Sequence, residues 1–346
     1  MTSLTKTAVL TRKIIRYGIL AIILLIIGRI AIGAGIRVYR YFFPAPPPPP
    51  TVSFGKLPTL DFPEGVKIAN ATYRIETPEG GLPKLATQAK VYFMPKQSAN
   101  LLSLESAREK AVDLGYVNNP QEVSDTIYRF PHKDQPATLQ FNIVTGIFSI
   151  SYNLSADSSP IERIPPAPEV AASQVRSYLS SANLLPDDLT GPTTNQFLKV
   201  EGGQLVSALG QSEADLVKVN LFRKEYDGFP SLTPDPNEAN VWFYVSGARE
   251  RQKQFIAAEY HYFPVDEGQF ATYPTKAAEE ALNELKAGNG YIVSSTQTEG
   301  EIIIRRVYFA YYDSGRPAEF FQPIIVFEGD SFIAYVPAVT ADYYGE

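Results

Sequence analysis

The first 60 residues of this chain contain no acidic residue, and most of their basic residues flank one apolar run, which Arg29 interrupts. That run, Tyr17 to Ile36, is long enough as a helix to cross a hydrocarbon core of ~30 Å. A proline-rich stretch follows at residues 44–50, and such stretches favour a stiff, extended backbone. The sequence therefore predicts three N-terminal segments: a cytoplasmic tail (1–16), a transmembrane helix (17–40) and a proline-rich stalk (41–60).

The orientation of this helix is predicted from its flanking charges. More basic residues precede the apolar run than follow it, which favours a cytoplasmic N-terminus and an extracytoplasmic C-terminal part. The basic residues are Lys6, Arg12, Lys13 and Arg16 before the run and Arg37 and Arg40 after it. A cleaved signal peptide is the alternative, because Tyr17 to Gly28 has the length of its apolar region and Ala31 to Gly33 has a small-x-small pattern.

The rest of the chain is acidic and has no Cys. Seven of the 31 Lys and Arg residues lie in the first 50 positions, which leaves 24 against 37 Asp and Glu. Because such a surface repels nucleic acid, we expect no nucleic-acid partner. The absence of Cys from the sequence excludes disulfides, thiol catalysis and Cys-ligated metals.

The two histidines do not predict a metal or cofactor site. His132 and His261 are far apart in the sequence, and neither occurs in a paired-ligand motif. His261 lies in the aromatic run 260–263, which is typical of a strand with one buried face, whereas His132 follows a proline in a predicted loop. The sequence also lacks a nucleophile elbow and a phosphate-binding glycine loop. We therefore expect no metal and no cofactor.

The part after residue 60 repeats one order of elements, a short Ala-rich helix followed by strands. The helices are predicted to begin at Ser103, Pro168 and Thr275, and the last ends at Lys286. The predicted strands are 139–143, 148–152, 216–226, 241–245, 254–263, 269–273, 302–312, 324–327 and 332–336. This pattern predicts an α+β fold with antiparallel sheets, each covered by a short helix. It divides into a first module (61–165) and a larger region (166–346) with a C-terminal module from about 274.

Two parts of the sequence resemble known bacterial proteins. The Ala-rich helix 106–115, together with the strand and Thr-Gly-Ile turn at 139–147, looks like the PepSY pattern. Residues 307–312, 322–327 and 332–339 are similar to the final sheet of membrane-anchored regulators of the YycH/YycI type. The resemblance implies a single-pass extracytoplasmic protein of PepSY-like modules, non-enzymatic, which acts by contact with another membrane or wall protein. The middle unit, residues 186–274, is larger than a module of this family, and the number of PepSY-like modules is therefore left open.

Binding or cleavage of cell-wall polysaccharide is the alternative function. Carboxylates are the only catalytic group in excess, and glycoside hydrolysis needs two of them ~5–9.5 Å apart in a cleft. Glu259 and Glu319 are the best candidates because they lie beside aromatic residues, where burial raises a carboxyl pKa. Acidic residues on half-exposed strands are usually solvated, however, so we expect that the protein is not an enzyme.

Four aromatic residues are the candidate binding site: Tyr311, Tyr312, Phe320 and Phe321. Exposed rings stack on sugars or anchor protein partners. Burial in the core is the alternative for each ring, since alternation along these strands does not tell which face is wet. The sequence thus favours a non-enzymatic, membrane-anchored module that binds or regulates another envelope protein.

Overall fold

The computed structural model describes residues 2–42, 48–96 and 103–345. The chain divides into two compact units, residues 1–49 and 50–346. In the first, helix α1 (Thr2–Phe42) begins well before the predicted span. Its segment Ile15–Tyr39 is, within the described residues, the one stretch of helix long and apolar enough to cross a membrane. Such a helix is consistent with an anchor or with a signal sequence.

The second unit contains three α-helices and 19 strands among its described residues. The helices are α2 (Ser103–Asp113), α3 (Pro168–Ser181) and α4 (Ala278–Lys286). The strands, in chain order, are β1 (Ala69–Ile75), β2 (Gln88–Phe93), β3 (Gln121–Ser124), β4 (Ile127–Pro131), β5 (Ala137–Asn142), β6 (Phe148–Tyr152), β7 (Thr193–Glu201), β8 (Gln204–Ser207), β9 (Leu216–Leu221), β10 (Ser231–Leu232), β11 (Val241–Ser246), β12 (Phe255–Tyr260), β13 (Asp266–Pro274), β14 (Tyr291–Ser295), β15 (Glu299–Ile304), β16 (Arg306–Tyr312), β17 (Phe320–Phe321), β18 (Pro323–Gly329) and β19 (Phe332–Pro337). The α+β class is therefore as predicted.

The largest sheet has nine strands in the order β3-β4-β5-β6-β12-β11-β9-β7-β8, and all its pairs are antiparallel. Helices α2 and α3 pack on one face of it through small and apolar residues such as Ala111 and Val175. Helix α3 begins at Pro168 as predicted, because the fixed φ of proline suits a first helical turn. The predicted boundary at residue 165 does not separate two sheets, since β6 pairs directly with β12.

A five-stranded sheet, β10-β16-β18-β19-β14, forms the core of the C-terminal part. Helix α4 covers one face and buries Leu282 and Leu285 against Phe327 and Val336. The pairing is mixed, because β10 runs parallel to β16, and the adjacent two-stranded sheet β1-β15 is also parallel. The expectation of purely antiparallel sheets is thus wrong at these two pairs.

Residues 50–62, which we call the leading segment, pack against the C-terminal part, and their Leu60 and Phe62 cover the other face of the five-stranded sheet. Leu57 has 0% exposure and exchanges backbone hydrogen bonds with Tyr343 and Gly345, at 2.9 and 3.0 Å. Phe62 packs between Tyr291 and Tyr312, with centroid distances of 5.1 and 4.7 Å. The predicted stalk is therefore wrong from residue 50 onward, and residues 43–47 of it lie outside the described residues. The Pro- and Gly-rich composition of this segment is typical of a linker, and it gave no sign that single side chains such as Leu57 and Phe62 pack into the fold.

Long-range pairing also changed three predicted elements. The predicted strands 254–263 and 269–273 are consecutive and suggest a hairpin, but β13 pairs with β2 in a three-stranded sheet, β13-β2-β17, and not with β12. Helix α4 starts three residues late, because the Thr275 and Lys276 amides donate to Thr87 and Ala338 carbonyls. The predicted strand 302–312 is two strands, which end and begin on either side of Arg305. The three-stranded sheet packs on the leading segment through Leu57, so not every sheet is covered by a helix.

Candidate binding surface

The nine-stranded sheet has one face without a helix. Its strand register aligns the side chains of this face in two rows across the sheet, and most of them are exposed or half-exposed. One row consists of Arg129, Gln140, Ser149, Glu259, Trp242, Asn220 and Thr194. The other consists of Thr138, Ser151, Ala257, Tyr244, Lys218 and Gln196. We call these 13 residues the open face.

An aromatic pair lies near the middle of the open face. Trp242, the only tryptophan of the chain, and Tyr244 have ring centroids 4.8 Å apart. The Lys218 ammonium lies 4.7 Å from the Trp242 centroid and 5.9 Å from the Tyr244 centroid. It also pairs with Glu238 at 2.6 Å, and its side chain is only 12% exposed. The two rings therefore screen a cation that helps to fix their positions.

The electrostatics of this pair keep the Tyr244 phenol neutral. Burial raises the pKa of Tyr244 above its usual value, and the Glu238 carboxylate adds to the shift. A neutral hydroxyl both donates and accepts hydrogen bonds. The aromatic pair thus offers ring surface and an uncharged polar group side by side.

Glu259 and His261 form a second pair at this surface. Glu259 Oε2 lies 3.0 Å from His261 Nε2, and both side chains are more than a third exposed. Glu319, the other carboxylate candidate, pairs with Lys96 and precedes β17 of the three-stranded sheet. The two predicted carboxylates therefore lie in different parts of the fold, Glu259 on β12 of the nine-stranded sheet and Glu319 just before β17, and each contacts a different side chain. This arrangement does not provide the facing acid and base that glycoside hydrolysis needs.

The four predicted aromatic site residues do not form an exposed surface. Tyr311, Tyr312 and Phe321 are 0%, 4% and 0% exposed, and Phe320 is half-buried. The leading segment covers two of them, since Phe62 packs edge-on against Tyr312 and Phe54 stacks on Phe320 at 4.9 Å. The expectation that these rings meet a partner is therefore corrected: the rings are covered from within the same chain.

His132 also has a structural place. It follows β4, and its Nδ1 accepts the backbone N–H groups of Asp134 and Gln135, both at 3.1 Å. The ring packs edge-on against Tyr116, and the residue is 9% exposed. Burial lowers the pKa of His132 below its usual value, although Asp134 opposes the shift. A neutral His132 thus shapes the turn between β4 and β5, close to a cavity of about 280 Å³ at the end of α2.

A buried ion cluster joins the nine-stranded and five-stranded sheets. Arg223, which follows β9, pairs with Asp188 and donates from Nε to Asp313 at 2.7 Å. Asp313 follows β16, so the cluster spans both sheets. Tyr226 and Tyr262 donate to the Asp188 carboxylate at 2.8 and 2.9 Å. Every charge in the cluster is paired, which indicates a structural role.

Sequence reasoning missed Trp242, Tyr244 and Lys218. Strand β11 reads Val-Trp-Phe-Tyr-Val, and an apolar residue at every position gives no alternation from which to choose a face. The available signal lay in the neighbouring hairpin, where polar residues at 138, 140, 149 and 151 mark its wet side. No group of residues suited to hold a metal ion occurs within ranges 2–42, 48–96 and 103–345.

No protein-family model and no curated protein matches this chain. Among solved structures, the chain is similar to an uncharacterized protein from Eubacterium rectale ATCC 33656, known from a crystal structure at 1.45 Å resolution. The sequence identity is 11% and the TM-score is 0.37, over 82% of this chain and 93% of that chain. A likeness at this TM-score supports no argument about function.

Proposed function

We propose that this chain is a membrane-anchored, extracytoplasmic binding module that acts without catalysis on another component of a bacterial envelope. The open face is the surface through which it acts. The observation that carries the proposal is the position of Trp242 and Tyr244 near the middle of the helix-free, solvent-facing side of the nine-stranded sheet. Aromatic residues of this kind are the usual anchors of binding surfaces.

The anchor is the second part of the proposal. The segment Ile15–Tyr39 has the length and composition of a membrane span, and the basic residues before it favour a cytoplasmic N-terminus. Regulation of an envelope partner, as the PepSY-like and YycH/YycI-like resemblance implies, is the role we assign to the module. The separate surroundings of Glu259 and Glu319 favour binding over hydrolysis.

Site-specific photo-crosslinking in intact cells tests this proposal. A photoreactive residue replaces Gln140 or Gln196 on the open face of the full chain, and Phe270 is the control position. Phe270 is 47% exposed on β13, outside the open face. We expect a discrete envelope adduct from the two open-face positions and none from residue 270. The adduct should weaken when Trp242→Ala and Tyr244→Ala are combined.

Equal adducts from all three positions, or none from the open face, would contradict the proposed surface.

N-terminal sequencing of the purified chain tests the anchor. A mature protein that retains Lys6 to Arg16 supports a membrane anchor. A mature protein that begins near Ala34 shows that the helix is a cleaved signal sequence.

A further inference from the structure

We infer that the open face binds an uncharged polysaccharide chain, with Trp242 and Tyr244 stacked on its sugar rings. This inference rests on the proposed function and adds the class of ligand. It is argued from the charge, the chemistry and the spacing of the open-face residues.

The charges of the open face are nearly balanced by their neighbours. Lys218 is paired with Glu238 at 2.6 Å. The two other charged members have opposite signs: Glu259 lies on β12, and Arg129 lies on β4, toward the β3 edge of the sheet. By contrast, the chain after residue 50 carries a clear excess of acidic residues. An approximately neutral surface on an acidic protein fits a ligand that has no charge of its own.

The polar residues of the open face are mostly hydroxyls and amides. They are Thr138, Gln140, Ser149, Ser151, Thr194, Gln196 and Asn220. Such groups both donate and accept hydrogen bonds, as sugar hydroxyls do. Asn220 is already occupied by Thr194 and the Ala239 amide, and Gln196 donates to Ser207. The other four, Thr138, Gln140, Ser149 and Ser151, are exposed or half-exposed and suit a hydroxyl-rich ligand.

Among these 13 residues only the aromatic pair and Ala257 are apolar, and the strand register continues the two rows at the sheet edge with Gln121 beside Arg129 and Pro131 beside Thr138. A stable protein interface generally buries a contiguous apolar core surrounded by a polar rim. The open face lacks the aliphatic residues that such a core requires. A sugar ring needs only one aromatic surface for its C–H groups and polar groups around its edge, and this matches the arrangement at Trp242 and Tyr244.

The spacing of the rows fits a linear, repeating ligand. The longer row crosses seven strands from β4 to β7, and at 4.7–4.9 Å per strand it extends about 28 Å. Side chains are therefore presented at a regular interval along one line. An oligosaccharide of several units can lie along this line with its rings over the aromatic pair.

Trp242 provides a direct assay, because it is the only tryptophan of the chain. The full chain is purified in a detergent without a sugar headgroup and titrated with chitohexaose, cellohexaose and xylohexaose, and with anionic oligogalacturonate. Protein-free polysaccharide from the cell envelope is used in a parallel co-sedimentation assay. We expect a saturable change in Trp242 fluorescence, or co-sedimentation, with uncharged polysaccharide. This binding should be insensitive to salt, because the ligand is uncharged.

Two variants test whether binding depends on stacking against the aromatic pair or on nonspecific adhesion to the protein surface. Tyr244→Ala should weaken binding about tenfold through the loss of one stacked ring, whereas Phe270→Ala, on another surface, should leave it unchanged. Binding of oligogalacturonate alone, lost at high salt, would overturn the inference. So would the absence of binding to every uncharged probe and to the envelope polysaccharide.

The two proposals fail in different ways. If no polysaccharide binds but crosslinking at Gln140 captures one envelope protein, the polysaccharide inference is wrong and the proposed function stands with a protein partner. If neither assay gives a ligand that depends on the open face, both proposals are wrong.

Discussion

The nine-stranded and five-stranded sheets of this protein use their faces differently. The nine-stranded sheet packs two helices on one face and leaves the other to solvent. The five-stranded sheet is covered on both faces, by α4 and by the leading segment. A sheet with one wet face can present side chains to a ligand, whereas a sheet covered twice stabilises the fold. The comparison therefore assigns binding to the first sheet and support to the second.

The same residue types have opposite roles in the two sheets. Tyr312 is buried beneath Phe62, and its hydroxyl donates to the Asp61 carbonyl at 3.2 Å. Tyr244 lies on the open face beside Trp242. An aromatic side chain on a strand thus indicates a binding site only when the face it occupies is known.

The largest effect is expected where the two sheets meet. Replacement of Arg223 by Met leaves Asp188 and Asp313 buried without a positive charge, and this should cost about 3–5 kcal/mol of unfolding free energy. Denaturant unfolding measures it with two probes. Trp242 fluorescence reports the nine-stranded sheet alone, and far-ultraviolet circular dichroism reports both sheets. The two transitions should coincide in the wild-type protein and separate in Arg223→Met.

The control is the triple variant Arg223→Met, Asp188→Asn, Asp313→Asn. It removes the charges together and should recover much of the lost stability. If the triple variant is no more stable than Arg223→Met, the unpaired carboxylates are not the cause of the loss.

A matched pair of ring deletions gives the next largest effect. Tyr312→Ala removes a buried ring and should cost about 3 kcal/mol. Trp242→Ala removes a half-exposed ring and should cost about 1 kcal/mol or less. Circular dichroism of the full chain during urea unfolding measures both. Similar losses for the two variants would show that the two sheets do not differ in the way described.

The smallest effect concerns pH. Burial lowers the pKa of His132 from its usual value of 6.5, so the unfolded chain takes up a proton before the folded protein does. Stability from this residue is complete above pH 6.5 and is lost as the pH falls through the folded pKa. His132→Asn, which keeps an acceptor for the turn, should reduce the drop in melting temperature between pH 7 and pH 5. His261→Asn is the matched control, and an equal reduction there would exclude His132 as the source.

Local signals predicted local structure in this chain. The start of α3 at Pro168 and the β5-β6 hairpin follow from a helix-initiating proline and from strict alternation. The partner of β6 on its other side, β12, is more than 100 residues away, and no local pattern encodes that choice. The burial of Tyr312 depends on Phe62, which lies in a segment with the composition of a linker. The sequence therefore predicted the helices and strands better than it predicted which of them pack together. The candidate surface depends on that packing, because the packing decides which sheet face is exposed.

The leading segment has a consequence for the order in which this protein folds. Its hydrogen bonds join residues at opposite ends of the unit, such as Leu60 and Tyr344, 284 positions apart. Contacts between such distant residues form slowly, and a chain is synthesised from its N-terminus. Residues 50–62 are made before every strand they cover, yet they cannot complete their packing until the last strands have been synthesised. Until then Leu57 and Phe62 lack the partners that cover them in the folded protein, so we expect this segment to be the last part of the unit to become ordered.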